Sequence, residues 1–190
     1  MKFYIVRHGE TLFNVKHLMQ GWCDSPLTEN GIQQAKNTGK KLENVDFVYA
    51  YSSTSERAVD TLTYILGNRN IDRCAIKEVK EINFGSLEGE PQESAHAEQE
   101  EVDHDMTKFG GEQREDAGKR LYNALLSLSK KHPEGNVLVV SHGGIIINLL
   151  LMLDKEYVEN LFKQGKFIDN GSISVFECDG TTLEFKGMME

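Results

Sequence analysis

The sequence predicts an α/β fold: a three-layer α/β/α sandwich with a largely parallel central sheet and an acidic cap insertion. Short β-branched and aromatic runs alternate with segments of helical periodicity, as in layered α/β domains. Residues 137–140 are continuously apolar, as a strand covered on both faces must be. Three of the runs end in chemically capable residues: Arg7-His8, Ser52-Ser53 ahead of Arg57, and Ser141-His142. Parallel sheets bind ligands beyond the carboxyl ends of their strands. That rule places two histidines and two arginines at one sheet edge.

Residues 2–6 read as a short strand of Phe, Tyr, Ile and Val that runs into His8-Gly9-Glu10-Thr11. Thr28 can cap a helix over about 29–42, with Ile32, Ala35 and Leu42 on its buried face. Gly31 and Gly39 weaken that helix slightly. Residues 47–51 form a second strand. Ser55 can cap a helix through Leu66 whose buried stripe is Ala58, Leu62 and Ile65. Residues 75–79 read as a third, weaker strand. Residues 88–110 show no clear period and read as an excursion or flexible cap. A helix over 113–132 carries Ala117, Leu121, Ala124, Leu125 and Leu128 at helical spacing, and Pro133 and Gly135 stop it. The run 137–140 ends in Ser141-His142-Gly143-Gly144, and a helix follows. Residues 173–178 and 183–186 close as a hairpin around Asp179-Gly180. The expected organisation is one domain over 1–190, with 88–116 an acidic cap within it.

The 190 residues include 30 acids and 21 bases, for a net charge of −9. Residues 88–116 hold eleven acids against Lys108 and Arg114, so this segment alone carries −9 and the remainder is neutral. Such a balance argues against a dedicated nucleic-acid binder and against an anionic membrane partner. Cys23, Cys74 and Cys178 are odd in number and far apart, neither a disulfide framework nor a zinc spacing. A reduced, cytoplasmic setting is the expectation. The N-terminal apolar run is too short for a signal-peptide core. The longest apolar stretch, 145–153, is interrupted by Asn148 and falls short of the ~20 residues a membrane span needs.

Two guanidiniums and two imidazoles make an anion site, since the arginine fork matches phosphate oxygens. Gly9 and Gly143-Gly144 let backbone N–H groups approach a ligand, and a helix starting near Gly144 aims its positive end there. Phosphate is therefore the expected ligand. A neutral histidine can attack phosphorus and hold the phosphoryl group, while arginines stabilise the equatorial oxygens without a metal. The leaving alkoxide needs an acid. Glu81 fits, following the third strand and preceding Gly85, and a phosphate dianion beside it would raise its pKa. Glu78 and Glu88 are the alternatives.

The motifs resemble those of the histidine phosphatase superfamily, the phosphoglycerate mutase-like proteins. Arg7-His8-Gly9-Glu10-Thr11 with Asn14 resembles the family signature. Gln20-Gly21-Trp22-Cys23-Asp24-Ser25-Pro26-Leu27-Thr28 resembles its next loop, followed by Gly31 and Gln34-Ala35. Tyr51-Ser52-Ser53 with Arg57-Ala58 and Thr61, then Glu81-Ile82 with Gly85, Glu88 and Gly89, then Val140-Ser141-His142-Gly143-Gly144 complete the series in order. The resemblance implies that His8 is the phosphorylated nucleophile and Glu81 the proton donor. It implies a phosphate pocket of Arg7, Arg57, His142 and Gly143 with hydrogen bonds from Asn14, and Gln20 and Gly21 near the substrate. It implies no cofactor and no metal. Family mutases tend to carry a basic residue right after the acid. Here that position is Ile82, and the chain is shorter than is usual for mutases, so a phosphatase is favoured.

Other phosphate chemistries fail by template. A cysteine-dependent phosphatase needs Arg six residues after Cys, where this chain has Glu29, Lys80 and Glu184. No Gly-x-x-x-x-Gly-Lys-Ser/Thr loop exists. Asp103-His104-Asp105-Met106-Thr107 fits an Asp-x-Asp-x-Thr pattern, but no buried strand precedes it. His96 and His104 among acids could take a stray metal, although a solvated acidic face is the simpler reading.

The expected activity is a metal-independent phosphomonoesterase working through phosphohistidine. Phosphoglycerate mutase-type transfer and a non-catalytic binding module are the alternatives. The expected partner is a small-molecule phosphomonoester, with no nucleic acid and no membrane, and with a homodimer as the open arrangement of chains. The acidic cap is further expected to disfavour polyanionic substrates, against the plainer reading of a solvated excursion.

Overall fold

The computed structural model describes residues 1–102 and 104–189; Asp103, one of the cap acids, and Glu190 lie outside the described residues. The chain runs β1 (Lys2–Arg7), α1 (Leu12–Val15), α2 (Glu29–Lys41), β2 (Phe47–Ser53), α3 (Glu56–Leu66) and β3 (Arg73–Ile76). It continues through α4 (Gln92–Glu101), α5 (Arg114–Lys131), β4 (Asn136–Ser141), α6 (Gly143–Leu153), α7 (Lys155–Lys163), β5 (Ile173–Cys178) and β6 (Leu183–Met189).

Successive residues of a strand face opposite ways, and here both faces are apolar. Phe3, Ile5, Val137 and Val139 meet Leu121, Leu125, Ile146 and Leu149 of α5 and α6. Val6, Leu138 and Val140 meet Ala35, Ala58, Leu62 and Ile65 of α2 and α3. Helices therefore cover both sides of the sheet, giving the three layers. The sheet order is β3-β2-β4-β1-β5-β6. The first four strands in that order are parallel, and β5 and β6 add an antiparallel edge. Register pairs Val140 with both Val6 and Ser52, so β1, β2 and β4 end level.

Several expectations shift. The third strand lies at Arg73–Ile76 rather than 75–79, and residues 77–79 tighten into a 3-10 turn. This edge strand is almost fully exposed and so leaves no alternation to read. Residues 92–101 form a helix where none was expected, because Ala95 and Gln99 are its only buried residues. The short α1 exists through a reciprocal cap between Thr11 and Asn14, and α7 through Asp154, which accepts from Tyr157 N–H at 3.0 Å. Ile32 is only half-buried. Gly31 takes the inner face of α2 because a Cβ there would sit 2.0 Å from the Glu10 carbonyl oxygen.

Ala95 and Met106 of the acidic segment pack with Met19 and Leu87 in a small separate core. It is tied to the loop after β1 by Met19 N–H to Glu90 O and Gln92 N–H to His17 O, both 2.8 Å. No described helix is long and apolar enough to cross a membrane.

Candidate active site

His8 leaves the end of β1 into a turn that admits no side chain. A Cβ on Gly9 would lie 2.4 Å from the Gly31 carbonyl oxygen, and Gly9 N–H donates to Thr61 Oγ1 at 3.0 Å. His8 Nδ1 sits 2.7 Å from the Gly9 carbonyl oxygen. A carbonyl only accepts, so Nδ1 carries the proton and Nε2 keeps its lone pair. Burial, and then the Arg57 and Arg7 charges, push the His8 pKa well below the ordinary imidazole value. His8 is therefore uncharged. The His142 ring, 5.2 Å away between centroids, is fully buried and depressed for the same reasons, burial first. Neither of its nitrogens has a hydrogen-bond partner among the described residues, so it is not a satisfied core histidine.

Arg57 is fully buried at the start of α3 and is no surface arginine. Its Nη1 donates to Cys23 O at 3.0 Å and Asp24 Oδ1 at 2.9 Å, and its Nη2 to Gly21 O at 2.8 Å. The Glu88 carboxylate holds that same loop, accepting from the N–H groups of Gly21, Trp22, Cys23 and Phe84 at 2.6–3.0 Å. Burial alone would raise Glu88, but hydrogen bonds from Cys23, Trp22 and Phe84 win and hold it below the usual carboxylate range. Cys23 is pushed up to about 12 by burial and then by Glu88, so its thiol stays protonated. Arg7 Nη1 donates to Ile168 O at 2.5 Å, and its guanidinium lies 5.7 Å over the Phe167 ring. Both Arg7 and Arg57 keep a buried Nε–H without a partner among the described residues.

Glu81 is buried against the N-terminus of α6. Its Oε2 accepts from Gly144 N–H at 2.8 Å, and Oε1 from Ile145 at 2.7 Å and Ile82 at 2.9 Å. A Cβ on Gly144 would come within 2.8 Å of Oε1, so this approach requires glycine. Burial raises the Glu81 pKa, and the three N–H groups and Arg57 offset only part of that. Arg120 braces the preceding backbone, donating to Glu78 O, Lys80 O and Glu81 O, with its own charge on Glu112. Of the alternative acids, Glu78 is exposed and Glu88 is committed to the loop.

A cavity of about 550 Å³ opens over these groups. Arg7, His8, Asn14, Gln20, Glu81 and Gly143 line it, whereas Arg57, His142 and Gly21 do not. Gln20 accepts from Thr11 Oγ1 at 2.7 Å through Oε1, and its buried Nε2 has no partner among the described residues. Asn14 Oδ1 is taken by Thr11 N–H, leaving its amide N–H₂ as the free end. From the acidic segment, Gln92, His96, Arg114 and Glu115 reach the cavity, while Glu98, Glu100 and Glu101 are exposed and do not. Asp105 accepts from Thr107 Oγ1 and from Gln113 Nε2, both at 2.6 Å. A helix precedes it, so the Asp-x-Asp-x-Thr pattern has no strand to sit on.

Sequence reasoning passed over residues 167–170. Asn170 Nδ2 donates to His8 O at 2.8 Å, and Phe167 and Ile168 hold Arg7. The signal was an Asn-Gly turn just before the last hairpin, which reads as a connection rather than a wall. Together these groups place a histidine nitrogen, the Arg7 guanidinium and a buried carboxyl on one cavity, with the Arg57 charge and the His142 ring close to His8.

The sequence model described as histidine phosphatase superfamily, branch 1, matches residues 3–190. A 2,3-bisphosphoglycerate-dependent phosphoglycerate mutase of Brucella ovis is 33% identical over 174 residues, 84% of each chain. Among solved structures, Bacillus stearothermophilus YhfR is similar with a TM-score of 0.84 and 31% identity, covering 98% of this chain and 95% of that one. The alpha-ribazole phosphatase of Shigella flexneri is similar with a TM-score of 0.82 and 27% identity, covering 100% and 96%.

Proposed function

The chain belongs to the histidine phosphatase superfamily, branch 1, and on that footing we propose that it is a metal-independent phosphomonoesterase that hydrolyses a small phosphorylated metabolite through a phosphohistidine. An enzyme of the histidine phosphatase and phosphoglycerate mutase type is what the family match and its relatives support. The observation that carries the phosphohistidine step is the 2.7 Å contact of His8 Nδ1 with Gly9 O, which places a proton on Nδ1 and turns Nε2 to the cavity side as the reacting nitrogen, while burial favours the neutral ring.

In the proposed mechanism Nε2 attacks phosphorus with its lone pair, and the bond from phosphorus to the leaving oxygen breaks. The Glu81 carboxyl passes its proton to that oxygen. Arg7, Arg57, His142 and the N-terminal end of α6 at Gly143 stabilise the charge on the equatorial oxygens. Glu81, now ionised, takes a proton from water as the water attacks phosphorus. The P–N bond breaks and its electron pair returns to Nε2, restoring the starting state. Gln20 and Asn14 offer amide N–H groups to the phosphate or the departing alcohol. The partner in this reading is the phosphomonoester, with a homodimer left open, in a reduced cytoplasmic setting suited to three free cysteines.

Mutase-type transfer is the second reading, favoured by the Brucella relative. Ile82, buried where mutases tend to carry a cation, speaks against it. The test is turnover of p-nitrophenyl phosphate in excess EDTA at mildly acidic pH, with His8→Ala as control. Wild type should turn over and form an acid-labile phosphoprotein, and His8→Ala should do neither. Equal turnover by both would sink the proposal. Interconversion of 2- and 3-phosphoglycerate faster than phosphate release would make it a mutase.

A further inference from the structure

Trp22 is the only tryptophan in the chain, and it is half-exposed. Its ring belongs to none of the hydrophobic clusters of the described residues. Its contacts are polar instead. The indole Nε1–H donates to Glu81 O at 3.1 Å, and the Lys80 ammonium lies 4.5 Å from the ring centroid. The indole thus grips two consecutive residues, the second of them the proposed acid. The Trp22 backbone is pinned separately, its N–H donating to Glu88 Oε1 at 2.6 Å.

A carbonyl oxygen has two lone pairs, and Glu81 O uses both. Its second donor is Arg120 Nη2 at 3.2 Å. Two elements, the loop after α1 and helix α5, therefore hold one carbonyl. That carbonyl shares a peptide unit with the Ile82 N–H. The unit is planar and trans, so its C=O and N–H are rigidly opposed. Ile82 N–H donates to Glu81 Oε1 at 2.9 Å. Fixing the carbonyl thus aims the N–H that holds the carboxyl. A carbonyl that accepts also polarises its peptide, which strengthens the donation on the far side. Glu81 lines the cavity and Trp22 does not, so the indole reaches the chemistry only through the acid.

Resting on the phosphatase reading above, we propose that Trp22 is a positioning residue for proton transfer to the leaving oxygen: its indole N–H, through the Glu81–Ile82 peptide plane, sets the Glu81 carboxyl against that oxygen. Lys80 holds the ring in place, and Arg120 holds the same carbonyl from a second element.

The test compares two kinds of ester. The leaving group of p-nitrophenyl phosphate departs without a proton, whereas those of ethyl, glycerol and ethanolamine phosphates need one. Trp22→Phe keeps an aromatic face for Lys80 and removes the N–H. It should lower kcat on the best-used alkyl ester about tenfold, within the ~10²-fold that a misplacement of ~1 Å can cost. On p-nitrophenyl phosphate kcat should fall about twofold or less, and KM for either ester should stay within about twofold, since ground-state binding is untouched. In a Glu81→Gln background the same substitution should change the alkyl kcat by less than about twofold, because the group it positions is gone. Should Trp22→Phe fail to fold, Lys80→Gln decides: it loosens the same ring and should shift the ester ratio in the same direction by a smaller factor, and an unmoved ratio overturns the proposal. Equal losses on both esters, no loss on either, or a full further loss on top of Glu81→Gln overturns the role of Trp22 and leaves the phosphatase reading standing. Turnover of p-nitrophenyl phosphate with none of any alkyl ester overturns it too, since no acid is then in use. No turnover of any ester overturns the phosphatase reading and this inference with it.

Discussion

His8 and Glu81 are displaced in opposite directions by the same cause. Burial lowers the imidazole pKa and raises the carboxyl pKa. The proposed chemistry needs His8 neutral and Glu81 protonated, so the productive form exists above the His8 midpoint and below the Glu81 midpoint. Activity on alkyl phosphates should therefore fall as pH rises through the Glu81 midpoint. Glu81→Gln should cost about 10²–10⁴ in kcat on an alkyl phosphate and remove that alkaline limb. It should cost much less on p-nitrophenyl phosphate, whose leaving group departs without a proton. The substrate's own second ionisation is common to both enzymes, so paired pH–rate profiles isolate Glu81. An alkaline limb unchanged in the variant would assign the proton to another group. His8 was legible because it stands directly after a strand, and Glu81 through its place between the third strand and Gly85. Asn170 and Arg114 were not, since an amide in a turn and a charge opening a polar helix read as ordinary solvated positions.

At the scale of elements, the loop carrying Gln20 and Gly21 is held by charge rather than by regular structure. Arg57 meets its carbonyls, and Glu88 meets its N–H groups. Glu88→Ala should lower Tm and should also lower kcat/KM by about tenfold on every ester alike, because Arg57 loses its brace. Thermal melts alongside kcat/KM on two unrelated esters check this, and a loss confined to one ester would give Glu88 a role in substrate choice instead. Helices α2, α3 and α5 were readable from their apolar spacing. Helix α4 was not, for it buries only an alanine and a glutamine four residues apart, and hydrophobic periodicity cannot report a face made of so little apolar surface. Strand β3 was misplaced by two residues for a related reason, since an exposed edge has no inside to mark.

Over the whole molecule, the charge of −9 divides by function more than by position. Within the acidic segment, Glu88 and Asp105 are spent on internal hydrogen bonds, and Glu98, Glu100 and Glu101 face water. This favours the solvated reading over an acidic screen above the substrate. Replacing Glu98, Glu100 and Glu101 together by Gln should leave the relative kcat/KM for a sugar bisphosphate over choline phosphate within about threefold at ~0.15 M salt, where charges beyond ~8 Å are screened. A larger shift toward the bisphosphate would return those acids to substrate choice. The topology has a consequence of another kind. The strand that delivers His8 is N-terminal to everything it pairs with: β4 begins at residue 136, β5 ends at residue 178, and the carbonyl that holds Arg7 is that of residue 168. A chain cut before residue 136 would carry the nucleophile but none of the strands that pair with β1 and no carbonyl to hold Arg7. Any such fragment should therefore form no phosphohistidine, since its reacting group lies far in sequence from the walls of its pocket.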